Sequence, residues 1–296
     1  MPYLGEAAAL ATAALFACAS LLFTFASQRV GSFAVNLSRI TFAVPVLVAL
    51  TLLIHGGSWS EGFTPQRLTW LAASGWVGLT LGDWALFSAF ALIGPRLSLL
   101  LMALAPPVAA ALSFPLLGEV LGPRGLIGMV ITLAGVVWVI LERASNPPPR
   151  GHRVRGVVFG LLGAAGQGLG LVLSKLGMAG EIDPLPATAV RMLAALIGAW
   201  LVAAATGRLG HFARLVRDID SRKAIAGATV LGPVLGVWLS LLAIEHAKTG
   251  IAATLMAMVP VFILPLARYV RHEQVSPRAV LGAVIAVAGV AVLVLR

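Results

Sequence analysis

The chain is poor in nearly everything that keeps a protein in water. Only 11% of its 296 residues are charged, against roughly 25% in soluble globular domains, so a water-soluble fold is excluded. There is one cysteine, Cys18, which can form no internal disulfide. Acids are scarcer than bases, 11 against 21. In a polar protein the resulting net charge of +10 would suggest nucleic acid, but so apolar a chain uses Lys and Arg to mark loops that resist translocation. The five histidines, His55, His152, His211, His246 and His272, fall in loops or at helix ends without metal-ligand spacing, so no metal and no cofactor is expected. No Gly-rich loop ending in Lys-Ser/Thr is present, which excludes ATP-driven pumping by this chain, and no Ser-His pair supports hydrolysis. The first apolar run lacks a preceding basic region and is longer than a signal-peptide core, so no cleaved signal is expected.

What is abundant is apolar: 59% of residues, with a mean hydropathy of +0.99. A bilayer core of about 30 Å needs roughly 20 apolar residues in helical form, because lipid offers the backbone no hydrogen bonds. Ten such stretches fit, at 4–27, 33–54, 68–93, 97–117, 122–141, 155–179, 185–206, 223–245, 250–270 and 278–295. They are too long and too irregular in alternation for barrel strands. The polar break from Glu142 to Arg155 contains Asn146-Pro147-Pro148-Pro149-Arg150, an extended spacer. It divides the chain into 1–142, a linker at 143–154, and 155–296.

The two parts repeat one another. At an offset of 154 residues, Leu81-Gly82-Asp83-Trp84 meets Leu235-Gly236-Val237-Trp238, Leu101-Met102-Ala103 meets Leu255-Met256-Ala257, and Pro106 meets Pro260. From 81–142 against 235–296 there are 19 identities in 62 positions, and the aligned Pro, Glu, Trp and Gly exceed what apolar composition alone produces. Upstream the register slips to 152, where Arg39 meets Arg191. Five spans is an odd number, so the second unit enters the membrane from the opposite side. Inverted repeats of this kind place a site at their interface that can open to either side, the geometry of a carrier. With the N-terminus outside, fourteen basic residues fall on the cytoplasmic side and five on the other, so both termini are expected in the periplasm.

These features resemble the drug/metabolite transporter superfamily, in its ten-helix form built from two EamA-type repeats. The resemblance rests on the two five-span units, on the paired Arg39 and Arg191, and on Glu119-x3-Pro123-x4-Gly128-x6-Gly135 repeated as Glu273-x3-Pro277-x4-Gly282-x6-Gly289. Within the superfamily the chain looks most like bacterial amino-acid exporters of the YddG type. The resemblance implies an all-α polytopic protein of the bacterial inner membrane with two inverted five-helix repeats. It also implies a central cavity lined by the first four helices of each unit, the fifth and tenth lying at the periphery. The expected function is secondary export of amino acids and related small metabolites, with small solutes and membrane lipid as partners and no nucleic acid. The alternatives are a multidrug or cationic-compound exporter and, from another class, a membrane-embedded enzyme. The last is weak, because the repeat mate of Asp83 is Val237 and an acid dyad needs two carboxylates.

Candidate cavity residues are Thr80, Asp83, Trp84, Phe87, Met102, Gln167, Trp238 and Met256. On the third span Trp76, Thr80, Asp83, Phe87 and Phe90 recur at helical spacing and share roughly 80° of arc. An acid at mid-helix is costly against lipid, so this face should point inward. Asp83 there either meets a substrate ammonium or takes a proton, or is a buried acid satisfied by a Ser, Thr or backbone partner. A zwitterion needs partners for both of its charges, a lipophilic cation mainly aromatics and one acid. Arg39 and Arg191 either snorkel or form structural ion pairs. By depth, Arg39 is expected to pair with Glu273 and Arg191 with Glu119, as gates that break alternately. Gly78-x3-Gly82, Gly232-x3-Gly236 and the series Gly156 to Gly170 read as close helix packing, and Pro106-Pro107, Pro233 and Pro260-x4-Pro265 as kinks.

Overall fold

Runs of about 20 apolar residues can satisfy their backbone only as helices, and helices are what form. The computed structural model describes residues 3–142, 153–208, 218–270 and 276–294. In chain order the helices are α1 (Leu4–Val30), α2 (Ser32–His55), α3 (Pro65–Ser74), α4 (Asp83–Met102), α5 (Ala105–Leu117) and α6 (Pro123–Glu142). They continue with α7 (Arg153–Met178), α8 (Pro184–Ala205), α9 (Ile219–Thr229), α10 (Val237–His246), α11 (Thr249–Met256), α12 (Val259–Val270) and α13 (Pro277–Val294). No strand occurs among the described residues. Nine segments among them are long and apolar enough to cross a membrane. Residues 143–152 of the linker, with the proline run, and Glu273 lie outside the described residues, while linker residues 153 and 154 already belong to α7.

Two helix junctions are π-helical, Gly75–Gly82 between α3 and α4 and Val230–Gly236 between α9 and α10. In the second, Pro233 removes a helical donor and forces the ladder to rearrange; the first has no proline and is instead glycine-rich at positions 75, 78 and 82. Starts recur at the 154-residue offset: Pro65 and Ile219, Ala105 and Val259, Pro123 and Pro277. The expected kinks at Pro106 and Pro260 are sharper than bends. Breaks before Ala105 and Val259 place these prolines in the first turn of new helices, where the missing N–H costs nothing.

The expected boundary between the third and fourth spans, at 94–96, contains no extended loop. Helical structure runs through it within α4, yet the chain reverses. A Cβ on Gly166 would lie 2.9 Å from Gly82 Cα, and one on Gly168 2.9 Å from the Ala105 carbonyl, whereas a straight helix would separate Gly82 from Ala105 by roughly 34 Å. Ile93 packs at Gly156 and Leu101 at Gly160, so the reversal falls between Ile93 and Leu101.

Lipid tails are as apolar as these side chains, so close approach rather than hydrophobic burial holds helix to helix. The helices that end the two units, α6 and α13, show it most clearly. A Cβ on Gly135 would lie 2.3 Å from the Ala286 amide nitrogen, one on Gly289 2.3 Å from that of Thr132, and one on Gly128 2.8 Å from that of Leu293. Rising numbers on α6 meet falling numbers on α13, so the two helices are antiparallel. Equivalent helices running in opposite directions are the signature of inverted units. The glycines on α6 and α13 therefore pack within the chain, while Leu126, Ile127, Val130, Leu281, Val284 and Val287 face outward.

Candidate functional site: a buried charge cluster beneath an aromatic cavity

The site begins with glycine. Gly166 and Gly170 of α7 lie against Gly82 and Gly78, where a Cβ on either would come within 2.9 Å of the facing Cα. That approach carries Gln167 to the third span. Its Nε2 donates to Asp83 Oδ1 at 2.8 Å and to the Gly78 carbonyl at 3.2 Å. The other carboxylate oxygen, Oδ2, takes a hydrogen bond and ion pair from Arg39 on α2. Arg39 Nε donates to Asn36 Oδ1, one turn back, at 2.8 Å, and its guanidinium stands 5.9 Å from the ring centres of Phe23 and Phe87. Asp83 is 5% exposed. Both its oxygens are engaged, one by each half of the chain.

Arg191 on α8 is the second cation here, 2% exposed. Gly75, Gly78 and Gly170 clear its path: a Cβ on Gly75 would lie 2.2 Å from the Arg191 carbonyl, and Cβ atoms on Gly78 and Gly170 would lie 3.0 and 3.3 Å from Nη2. Its charge acts on Asp83, while its buried Nε has no hydrogen-bond partner. Two repeat-related arginines thus converge on one acid. A buried charge is tolerated only when paired, and this cluster carries one positive charge more than it pairs.

Above the cluster opens a cavity of about 340 Å³, at the lower end of the roughly 300–1,000 Å³ of small-molecule sites. Phe33, Trp84, Phe87 and Phe159 form its walls, Asn36, Thr80 and Ser88 add polar atoms, and Arg155 and Arg208 stand at its mouth. Trp84 meets Phe159 edge-on at 5.3 Å. Thr80 donates to the Ala195 carbonyl at 3.1 Å. The lining comes from α2, α4, the start of α7 and the end of α8, so the opening is at the arginine-rich end.

The opposite end is shut. Lys175 Nζ lies 2.6 Å from Glu119 Oε1 and donates to the Ala247 carbonyl at 2.7 Å. Glu119 Oε2 accepts from the Thr249 amide at 2.7 Å, at the positive end of α11. Lys248 Nζ reaches the Val120 carbonyl at 2.6 Å. One carboxylate therefore ties together α5, α7 and α11.

Of the residues proposed from sequence, Thr80, Trp84 and Phe87 line the cavity, and Asp83 and Gln167 lie in the cluster beneath it. Met102, Trp238 and Met256 do not line it; Trp238 and Met256 pack on the main apolar core. Of the two expected pairings, one is replaced and one falls outside the described residues. Arg39 holds Asp83; Glu273, its expected partner, lies outside the described residues, as does the side chain of Phe90. Glu119 holds Lys175 while Arg191 turns to Asp83, because the glycines of α7 and of the π-helical segment open a path in that direction. Nor is Asp83 a free carboxylate. The pair was accessible from depth alone: counted from the same membrane face, Arg39 lies seven residues into its helix and Asp83 ten, roughly 10 and 15 Å, within an arginine's reach. Arg155 and Arg208 belong to no motif, and in the sequence they count only toward the basic side of the membrane. Among the described residues no three His, Cys, Asp or Glu come together as a metal site.

Comparison with known proteins decides the family. The sequence model of the EamA-like transporter family matches residues 3–141 and again 154–295. The chain belongs to the EamA-like transporter family. This makes it a multi-pass membrane transporter of the drug/metabolite superfamily, whose partners are small solutes and lipid. Among curated proteins, Uncharacterized protein PA1977 of Pseudomonas aeruginosa is 30% identical over 228 residues, 75% of this chain and 73% of that protein. A crystal structure matches the EamA fold seen here at a TM-score of 0.78, with 20% identity over 99% of this chain and 96% of the other, a likeness of fold.

Proposed function

We propose that this chain is a secondary transporter that exports amino acids and related small metabolites from a bacterial cytoplasm by alternating access. One observation carries the reading: a small-molecule cavity between two inverted units, open at the arginine-rich end and latched at the other by Glu119, Lys175 and Thr249. Under the positive-inside rule the arginine-rich end is cytoplasmic, so the cavity is poised to load from inside, with both termini in the periplasm. Nine apolar segments together with the helical stretch 65–93 make ten crossings, five in each of the units 1–142 and 155–296. Exchange of the two units' conformations opens the far end. In that state Asp83 passes from Arg39 to Arg191, the cation now held beside it without a partner for its Nε.

The cationic-drug reading is the poorer fit. It requires a carboxylate free to face the solute, and Asp83 is occupied by Arg39 and Gln167. The test is counterflow in liposomes with labelled amino acids and lipophilic cations, with and without a proton gradient. Accumulation of amino acids is expected. Accumulation of lipophilic cations alone would give the chain to multidrug export.

A further inference from the structure

We infer that the cavity recognises its solute by a carboxylate and an aromatic or branched tail and has no need of an ammonium group, so that 2-oxo acid anions are ligands as good as the matching amino acids. The inference rests on the export reading above and narrows it. Every charged side chain in the described lining is a cation, Arg155 or Arg208. Arg208 is braced against the wall, its guanidinium 5.2 Å from the centre of the Phe33 ring. Such a braced fork meets a carboxylate with little loss of freedom. The layer beneath adds no compensating acid, because Arg39, Arg191 and Asp83 together carry a net positive charge and Asp83 accepts from Arg39 and Gln167. A low-dielectric pocket walled by Trp84, Phe87 and Phe159 magnifies that field. An ammonium entering it meets only the hydroxyls and amide of Thr80, Ser88 and Asn36.

The test separates the two charges on one ring system. Proteoliposomes are loaded for counterflow of labelled L-phenylalanine, with unlabelled phenylpyruvate or phenethylamine as competitor, and labelled phenylpyruvate is run in parallel against protein-free liposomes. Phenylpyruvate should compete at least as well as unlabelled phenylalanine and should itself be moved, and phenethylamine should compete at least tenfold more weakly. Arg155→Gln and Arg208→Gln should each weaken phenylpyruvate competition by roughly tenfold. Arg222→Gln, an exposed arginine outside the lining, should leave it unchanged and so separates recognition from a general effect of basic residues on lipid. If phenylalanine moves and phenylpyruvate neither competes nor moves, the inference falls while amino-acid export stands. If phenylpyruvate alone moves, the inference holds and amino-acid export falls. If phenethylamine is the best competitor, or nothing moves, both fall.

Discussion

The two units agree in their packing and disagree in their chemistry. Helix starts, π-helical junctions, the broken spans before Pro106 and Pro260 and the glycines of α6 and α13 recur across the chain. The arginine recurs too, as Arg39 and Arg191. The acid does not: Asp83 faces Val237 at the equivalent position. A Cβ at Gly135 or at Gly289 would strike backbone of the facing helix, so both units depend on the same close packing. A charge centre shared by both units is under no such demand. One acid between two arginines gives each conformation a partner for it and leaves the other cation over.

Removing the asymmetry should have the largest effect. Asp83→Val makes the first unit match the second and strands the half-buried Arg39 and the buried Arg191, at a cost of about 3–5 kcal/mol. Counterflow should be abolished and Tm in nanodiscs should fall; a variant at the wild-type rate would show that the cluster is dispensable. Next come the symmetric positions. Gly135→Val and Gly289→Val should each destabilise by about 1–3 kcal/mol through overpacking, and by similar amounts. Gly122→Ala, with open space around it, should stay within about 0.5 kcal/mol. Unequal losses at Gly135 and Gly289 would break the claim that the units pack alike.

Smaller again is the latch. Glu119→Gln removes the ion pair with Lys175 but retains an acceptor for the Thr249 amide. It should raise several-fold the labelling of a cysteine placed near Thr249 from the membrane face opposite the arginine-rich end, whereas unchanged labelling would mean that packing alone closes this end. The smallest effect belongs to the exposed pair at the arginine-rich end, where Arg29 Nε lies 2.8 Å from Asp218 Oδ2. The hydrogen bond from Arg29, and then the Ser221 amide at the start of α9, hold the Asp218 carboxyl below its ordinary value. A lowered carboxylate pKa stabilises the fold above the unfolded value, about 4, and the contribution disappears as pH falls through the folded value. Asp218→Asn should therefore lower Tm slightly at pH 7, and the difference from wild type should shrink steadily as pH falls below about 4.

Much of this architecture was legible in the sequence because lipid leaves the backbone few choices. Ten apolar runs, an odd number per unit and a 154-residue repeat lead to inverted helical units without reference to side-chain contacts. The inward position of Thr80, Asp83 and Phe87 followed from helical periodicity, although Trp76 at the start of the same stripe is exposed. Partner choice was not legible in the same way. Arg39 and Asp83 lie 44 residues apart, and Arg191 reaches toward them only through space that Gly75, Gly78 and Gly170 leave open. Spacing predicts which residues share a face, whereas the direction of a long side chain depends on which neighbours lack a Cβ.

The central claim is that solute sits in the cavity between the units and reaches it from the cytoplasmic face. Replacing Cys18 with Ala leaves a cysteine-free chain, and Ser88→Cys then sets one thiol in the cavity wall. A membrane-impermeant maleimide should label it in inside-out vesicles and not in right-side-out ones, and a solute that the protein moves in counterflow should slow that labelling in proportion to its occupancy. Labelling only from the periplasmic face, or labelling indifferent to every transported solute, would contradict the account.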